Sequence, residues 1–141
     1  MSTELQKAKH LVDNEQYELA ISSLENLNEL PWKEERYRLL FLAYSLYMVK
    51  RYNVAIDTAD KLLLMNRNNE YASQIKYLSY FELENHESAL NEIISFLSYN
   101  EANLYKVTLE ELLVDIKNGN ISEENTVYKI QELALRNNVS L

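Results

Sequence analysis

The chain reads as an all-α protein made of repeated helical hairpins, and three observations carry that reading. Its 141 residues include a single Gly, Gly119, and a single Pro, Pro31. Sheets fold back through tight turns that draw on both residue types, so a chain nearly free of them is better served by helices joined through Asn, Glu and Ser. Apolar residues recur at helical spacing, as in Leu39, Leu42, Ala43 and Leu46. A short pattern also returns: Tyr17-x-x-Ala20-Ile21, Tyr52-x-x-Ala55-Ile56 and His86-x-x-Ala89-Leu90, with the alanines 35 and then 34 residues apart.

Neighbouring positions keep the same register. Leu24, Ala59 and Ile93 follow each pattern, then Leu27, Leu62 and Phe96, while Leu11, Leu46 and Tyr80 precede it. The first unit, about residues 1–34, turns at Asp13-Asn14-Glu15 and exits at Pro31. The second, about 35–68, turns near Lys50-Arg51, carries Ala55, Ala59, Leu62 and Leu63 on its second helix, and ends in Asn66-Arg67-Asn68-Asn69. The third, about 69–101, turns at Glu84-Asn85 and exits at Asn100. Ala20, Ala55 and Ala89 supply the small side chains that let two antiparallel helices approach, and the Tyr or His three residues earlier is expected to rest on the first helix of its hairpin.

Residues from about 102 to 141 fit the period less well. Leu104, Val107, Leu112, Leu113 and Ile116 form an apolar stripe, read either as one helix or as a helix restarted at the capping-box-like Thr108-x-x-Glu111. Lys117-Asn118-Gly119-Asn120 ends that helix. Ser122 reads as the next N-cap, with Val127, Ile130, Leu133 and Ala134 facing inward. This pair is expected to cap the open end of the stack within one domain, 1–141.

Composition narrows the function classes. The net charge of −8 opposes nucleic-acid binding, which needs Lys and Arg to neutralise phosphates. Solubility explains most of that charge, and attraction of a basic partner is the alternative. The chain has no Cys, so neither a disulfide frame nor a thiolate metal site is available. The start, Met1-Ser2-Thr3-Glu4, is not a secretory signal, and Leu39 to Val49 is too short to span a bilayer. A cytoplasmic location without membrane insertion is the expectation. His10 and His86 lack metal-like partners at helical spacing, and no Gly-rich phosphate loop exists. Glu34-Glu35, Glu110-Glu111 and Glu123-Glu124 sit early in predicted helices, where the helix dipole explains them. No catalysis, cofactor or metal is expected.

The units resemble tetratricopeptide repeats, a family with a 34-residue period and the pattern W-x₂-L-G-x₂-Y…A-x₃-F…P. Leu39-x₂-Leu42-Ala43-x₂-Leu46…Ala55-x₃-Ala59 is the best match. Leu11…Ala20-x₃-Leu24…Pro31 and Tyr80…Ala89-x₃-Ile93 match the second half. Tyr77 departs from the small residue of that pattern, Glu15, Lys50 and Glu84 from its turn Gly, and Arg67 and Asn100 from its closing Pro. The resemblance covers roughly residues 3–100 and implies a right-handed superhelix of antiparallel hairpins, about three repeats plus the capping pair. It also implies a concave side lined by the first helix of each hairpin. Relatives that grip a chaperone's C-terminal carboxylate use Lys, Asn and Arg, where this chain has Leu5, Lys9, Phe41, Tyr71 and Ile75. A carboxylate clamp is therefore not expected.

The predicted concave surface carries Leu5, Lys9, Val12 and Asp13 in the first unit, then Tyr37, Leu40, Tyr44, Tyr47 and Met48, then Tyr71, Gln74, Leu78, Phe81 and Glu82. The chain holds 11 Tyr, and four of them fall here. Tyr and Met favour binding surfaces, where they give large contact area at low entropic cost. Equally, tyrosines fill a core that is short of Phe and Trp. The first reading makes Tyr37, Leu40, Tyr44, Tyr47, Met48, Tyr71, Gln74, Leu78 and Phe81 a partner-binding groove. The expected function is a protein-interaction module, an adaptor or small chaperone taking a segment of a partner protein. Its build resembles the chaperones that guard translocators of type III secretion systems. Asp13 and Glu82 would favour a basic segment. The alternative is an inhibitor or immunity-type protein that caps a partner enzyme with its acidic surface, and a homo-oligomeric subunit is a third possibility.

Overall fold

Every residue from 1 to 141 is described by the computed structural model, which contains eight α-helices and no strand. They are α1 (Thr3–Asp13), α2 (Tyr17–Glu25), α3 (Trp32–Met48), α4 (Tyr52–Met65), α5 (Glu70–Glu82), α6 (His86–Leu97), α7 (Tyr105–Lys117) and α8 (Glu124–Arg136). No helix is long and apolar enough to cross a membrane.

Local chemistry sets the helix ends. Asn side chains accept from backbone N–H groups at two starts: Asn69 from Ala72 at 3.0 Å and Asn85 from Ser88 at 3.2 Å. Pro31 opens α3 with φ −55° and ψ 152°, so that helix begins at Trp32, and the expected unit boundary at 34/35 falls inside it. The ends of α1, α3 and α5 share one turn. Glu15, Lys50 and Glu84 take φ values of 61°, 66° and 60°. In each turn the following residue donates back across the helix end, Gln16 to the Leu11 carbonyl at 2.8 Å, Arg51 to Leu46 at 2.9 Å and Asn85 to Tyr80 at 2.9 Å. This is the Schellman arrangement, in which a left-handed residue satisfies the last helical carbonyls. Gly119, at φ 78°, repeats it after α7, with Asn120 donating to Asp115 at 2.8 Å.

Consecutive helices pack on one another from α1 through α6, and α1 meets α3 as α3 meets α5. One apolar core runs from Leu5 to Ile75 and contains Ala20, Ala43, Ala55 and Ala72, all fully buried. A second core runs from Tyr77 to Val139. Helix α5 belongs to both. The last pair docks differently: α7 packs on α8 and α8 on α6, while the close approach of α2 to α3 and of α4 to α5 has no counterpart between α6 and α7.

Several expectations are corrected. Leu5 is fully buried in the first core and lines no surface. Of the two alternatives for the stretch around Thr108 the single helix holds: Thr108 is buried inside a continuous α7, no helix restarts there, and Glu110-Glu111 lie mid-helix rather than early in a helix. Val107 is 62% exposed and leaves the apolar stripe. Glu123, not Ser122, caps α8, accepting from Asn125 N–H at 3.1 Å and Thr126 N–H at 2.7 Å.

Candidate functional site

Between α3 and α5 lies an apolar hollow of about 320 Å³, lined by Leu40, Phe41, Tyr44, Tyr47, Tyr71, Gln74, Ile75 and Leu78. The helical period explains why these side chains meet. On α3, Leu39, Leu42, Ala43 and Leu46 face the core, which turns Leu40, Tyr44 and Tyr47 onto the next stripe. On α5, Tyr71, Ile75 and Leu78 recur at spacings of four and three. Gln74 is the only polar residue of the lining, and no charged side chain enters it.

Six of the nine residues expected from sequence are brought together here: Leu40, Tyr44, Tyr47, Tyr71, Gln74 and Leu78. Tyr37 lies outside the lining but stacks on Phe41 with ring centroids 6.2 Å apart. Met48 is exposed and stands apart. Phe81 belongs to a second hollow with Tyr77, with which it stacks at 6.3 Å. Phe41 and Ile75 were not expected in the lining. Each continues a stripe already marked, Phe41 three residues before Tyr44 and Ile75 four after Tyr71, so helical spacing could have found them.

The aromatic residues of the repeated pattern buttress this surface. Tyr17 on α2 meets Tyr44 edge-on at 6.0 Å, and Tyr52 on α4 meets Tyr47 at 5.7 Å. His86 on α6 meets Phe81 edge-on at 5.0 Å. Tyr52 and His86 thus rest on the first helix of their own hairpin as expected, and the ring of Tyr17 meets α3. Each such contact contributes about 1 kcal/mol and fixes a ring orientation. Burial raises the Tyr47 pKa, with Glu82, Tyr52 and Tyr44 adding to it, so its hydroxyl stays a neutral donor.

The tyrosines divide by position. Tyr77 and Tyr105 are buried at 7% and 0% exposure, while Tyr37, Tyr44 and Tyr71 stand 39%, 39% and 58% exposed. Of the expected rim acids, Asp13 is paired with Lys9 at 2.9 Å, and Glu82 is close enough to act on Tyr47.

Comparison of the chain with protein-family models, with curated proteins and with solved structures gives no match.

Proposed function

We propose that this chain is a cytoplasmic, tetratricopeptide-like interaction module, an adaptor or small chaperone, that holds a segment of a partner protein in the hollow between α3 and α5. The observation that carries the reading is the lining itself: seven of eight residues are apolar or aromatic, converging from two helices on about 320 Å³. That volume takes an apolar side chain or two of a peptide and lies at the lower end of the range for ligand pockets, about 300–1,000 Å³. Exposed Tyr44 and Tyr71 offer broad contact with few rotatable bonds, and Gln74 offers the amide that orients a backbone. The repeat reading draws support from the left-handed turn residues Glu15, Lys50, Glu84 and Gly119, which stand 35, 34 and 35 residues apart. The reading assigns the chain no chemistry of its own.

The test is affinity capture with the tagged protein, the bound partner being identified by mass spectrometry and then purified. Tyr44→Ala combined with Tyr71→Ala should weaken binding of that partner at least tenfold and leave the helical circular dichroism unchanged. Undiminished binding by the double variant would reject the hollow as the site.

A further inference from the structure

The largest hollow described in the molecule lies elsewhere. It measures about 770 Å³ and opens where the α5–α6 hairpin meets the turn between α7 and α8. Its apolar wall comes from Tyr77, Phe81, Leu90, Leu112 and Ile121. Its polar wall carries three carboxylates, Glu87, Asp115 and Glu123, with His86 as the one basic side chain and no Lys or Arg.

The altered docking of the last hairpin accounts for the space. Three residues join the helices of each earlier hairpin, but six, 118–123, join α7 to α8. Tyr105, fully buried at the start of α7, stands between Tyr77 at 6.1 Å and Phe96 at 5.8 Å. Its ring fills the junction where helices pack directly in the first core, and the other end of α7 is left open toward Phe81 and Leu90.

The three carboxylates are not equivalent. Glu123 is engaged as the cap of α8, accepting also from the Thr126 hydroxyl at 2.5 Å, and Lys129 acts on it. Glu87 and Asp115 have neither an ion pair nor a side-chain hydrogen bond. Of these two only Asp115 acts on the aromatic wall: burial first, then Glu111 and Asp115, push the Tyr77 pKa up to about 12.

We propose that this hollow receives an arginine side chain of the partner segment, a proposal that rests on the interaction-module reading above. A guanidinium is planar and weakly hydrated, so it can lie against the Phe81 ring while donating to two carboxylates at once. An ammonium lacks that planar face, and an anion would meet three carboxylates. The two hollows are separate but both border α5: Leu78 lines one and Phe81, three residues further along, lines the other. A segment crossing α5 would seat an apolar residue in the first hollow and its arginine in the second.

The experiment uses the full chain and two small probes, N-acetyl-arginine amide and N-acetyl-norleucine amide, titrated while amide and aromatic resonances are followed by NMR. The arginine probe should shift Phe81, Leu90 and Ile121 saturably and leave Tyr44 and Tyr71 unmoved, and the norleucine probe should not. Glu87→Gln with Asp115→Asn, two side chains without bonds to lose, should keep the fold and weaken the arginine probe at least fivefold. Absence of shifts, equal shifts from both probes, or unchanged affinity in the double variant would overturn the proposal. Because the probe does not touch Tyr44 or Tyr71, the arginine site can fail while partner capture by the first hollow stands. Capture can likewise fail while the probe still binds.

Discussion

Glu15, Lys50 and Glu84 hold left-handed backbone that an L residue with a Cβ enters at a cost, yet none of them is Gly. The turn is kept because the Schellman bonds require that conformation, whichever residue occupies it. The sequence marks these positions only indirectly, as departures from the Gly of a resembling family. Gly119 takes the same conformation without strain, and a Cβ built on it would meet nothing within 4 Å. Lys50→Gly is therefore expected to stabilise the fold by about 1 kcal/mol, and Gly119→Ala to destabilise it by a similar amount, read as shifts of the urea midpoint at constant slope. No change at either position would mean that the turns relax out of the left-handed region.

Between helices, one polar network was not legible in the sequence. Lys76 of α5 bridges Asp60 of α4 and Glu92 of α6, each at 2.7 Å. Glu92 also accepts from Ser73 at 2.7 Å, and Ser73 shares a 2.7 Å hydrogen bond with Tyr105 of α7. Burial works to lower the Lys76 pKa, but its bonds to Asp60 and Glu92 outweigh this and raise it, so the ammonium stays charged. Removing one partner leaves a mostly buried charge uncompensated. Lys76→Met should cost about 3 kcal/mol in chemical denaturation, while Lys76→Met with Glu92→Leu should recover to within about 1 kcal/mol of the parent. A double variant as unstable as the single one would show that the ion pair contributes more than a well-packed apolar replacement. Helical spacing places Lys76 and Glu92 on their own helices, but only the packing of α5 on α6 brings them together.

Across the whole molecule, α5 carries both cores, with Ala72 and Ile75 in the first and Tyr77 in the second. Glu70, at its first position, also accepts from the backbone N–H groups of Asn103 at 2.9 Å and Tyr105 at 3.0 Å, tying the start of α7 to the earlier hairpins. Neither core can open without disturbing this helix, so the chain should unfold as one unit. Ala72→Gly in the first core and Leu109→Ala in the second are expected to lower the urea midpoint without changing its slope. A lower slope or a second transition in the Leu109→Ala variant would show that the last hairpin melts separately.

Sequence alone determined the helical class, the three inner turns, the alanine positions of the hairpin crossings and six of the eight residues around the first hollow. These follow from local rules: scarcity of Gly and Pro, a 3.6-residue period and a pattern returning every 34 or 35 residues. Tertiary structure decided what those rules leave open. It sent Leu5 and Tyr105 into the cores, kept Tyr44 and Tyr71 at the surface, and parted Phe81 from the other groove candidates. It also docked the last hairpin through α8 on α6, without the α6–α7 packing that the earlier period would give. A helical period fixes which side chains share a face, but which neighbour covers that face depends on packing between residues far apart in the chain.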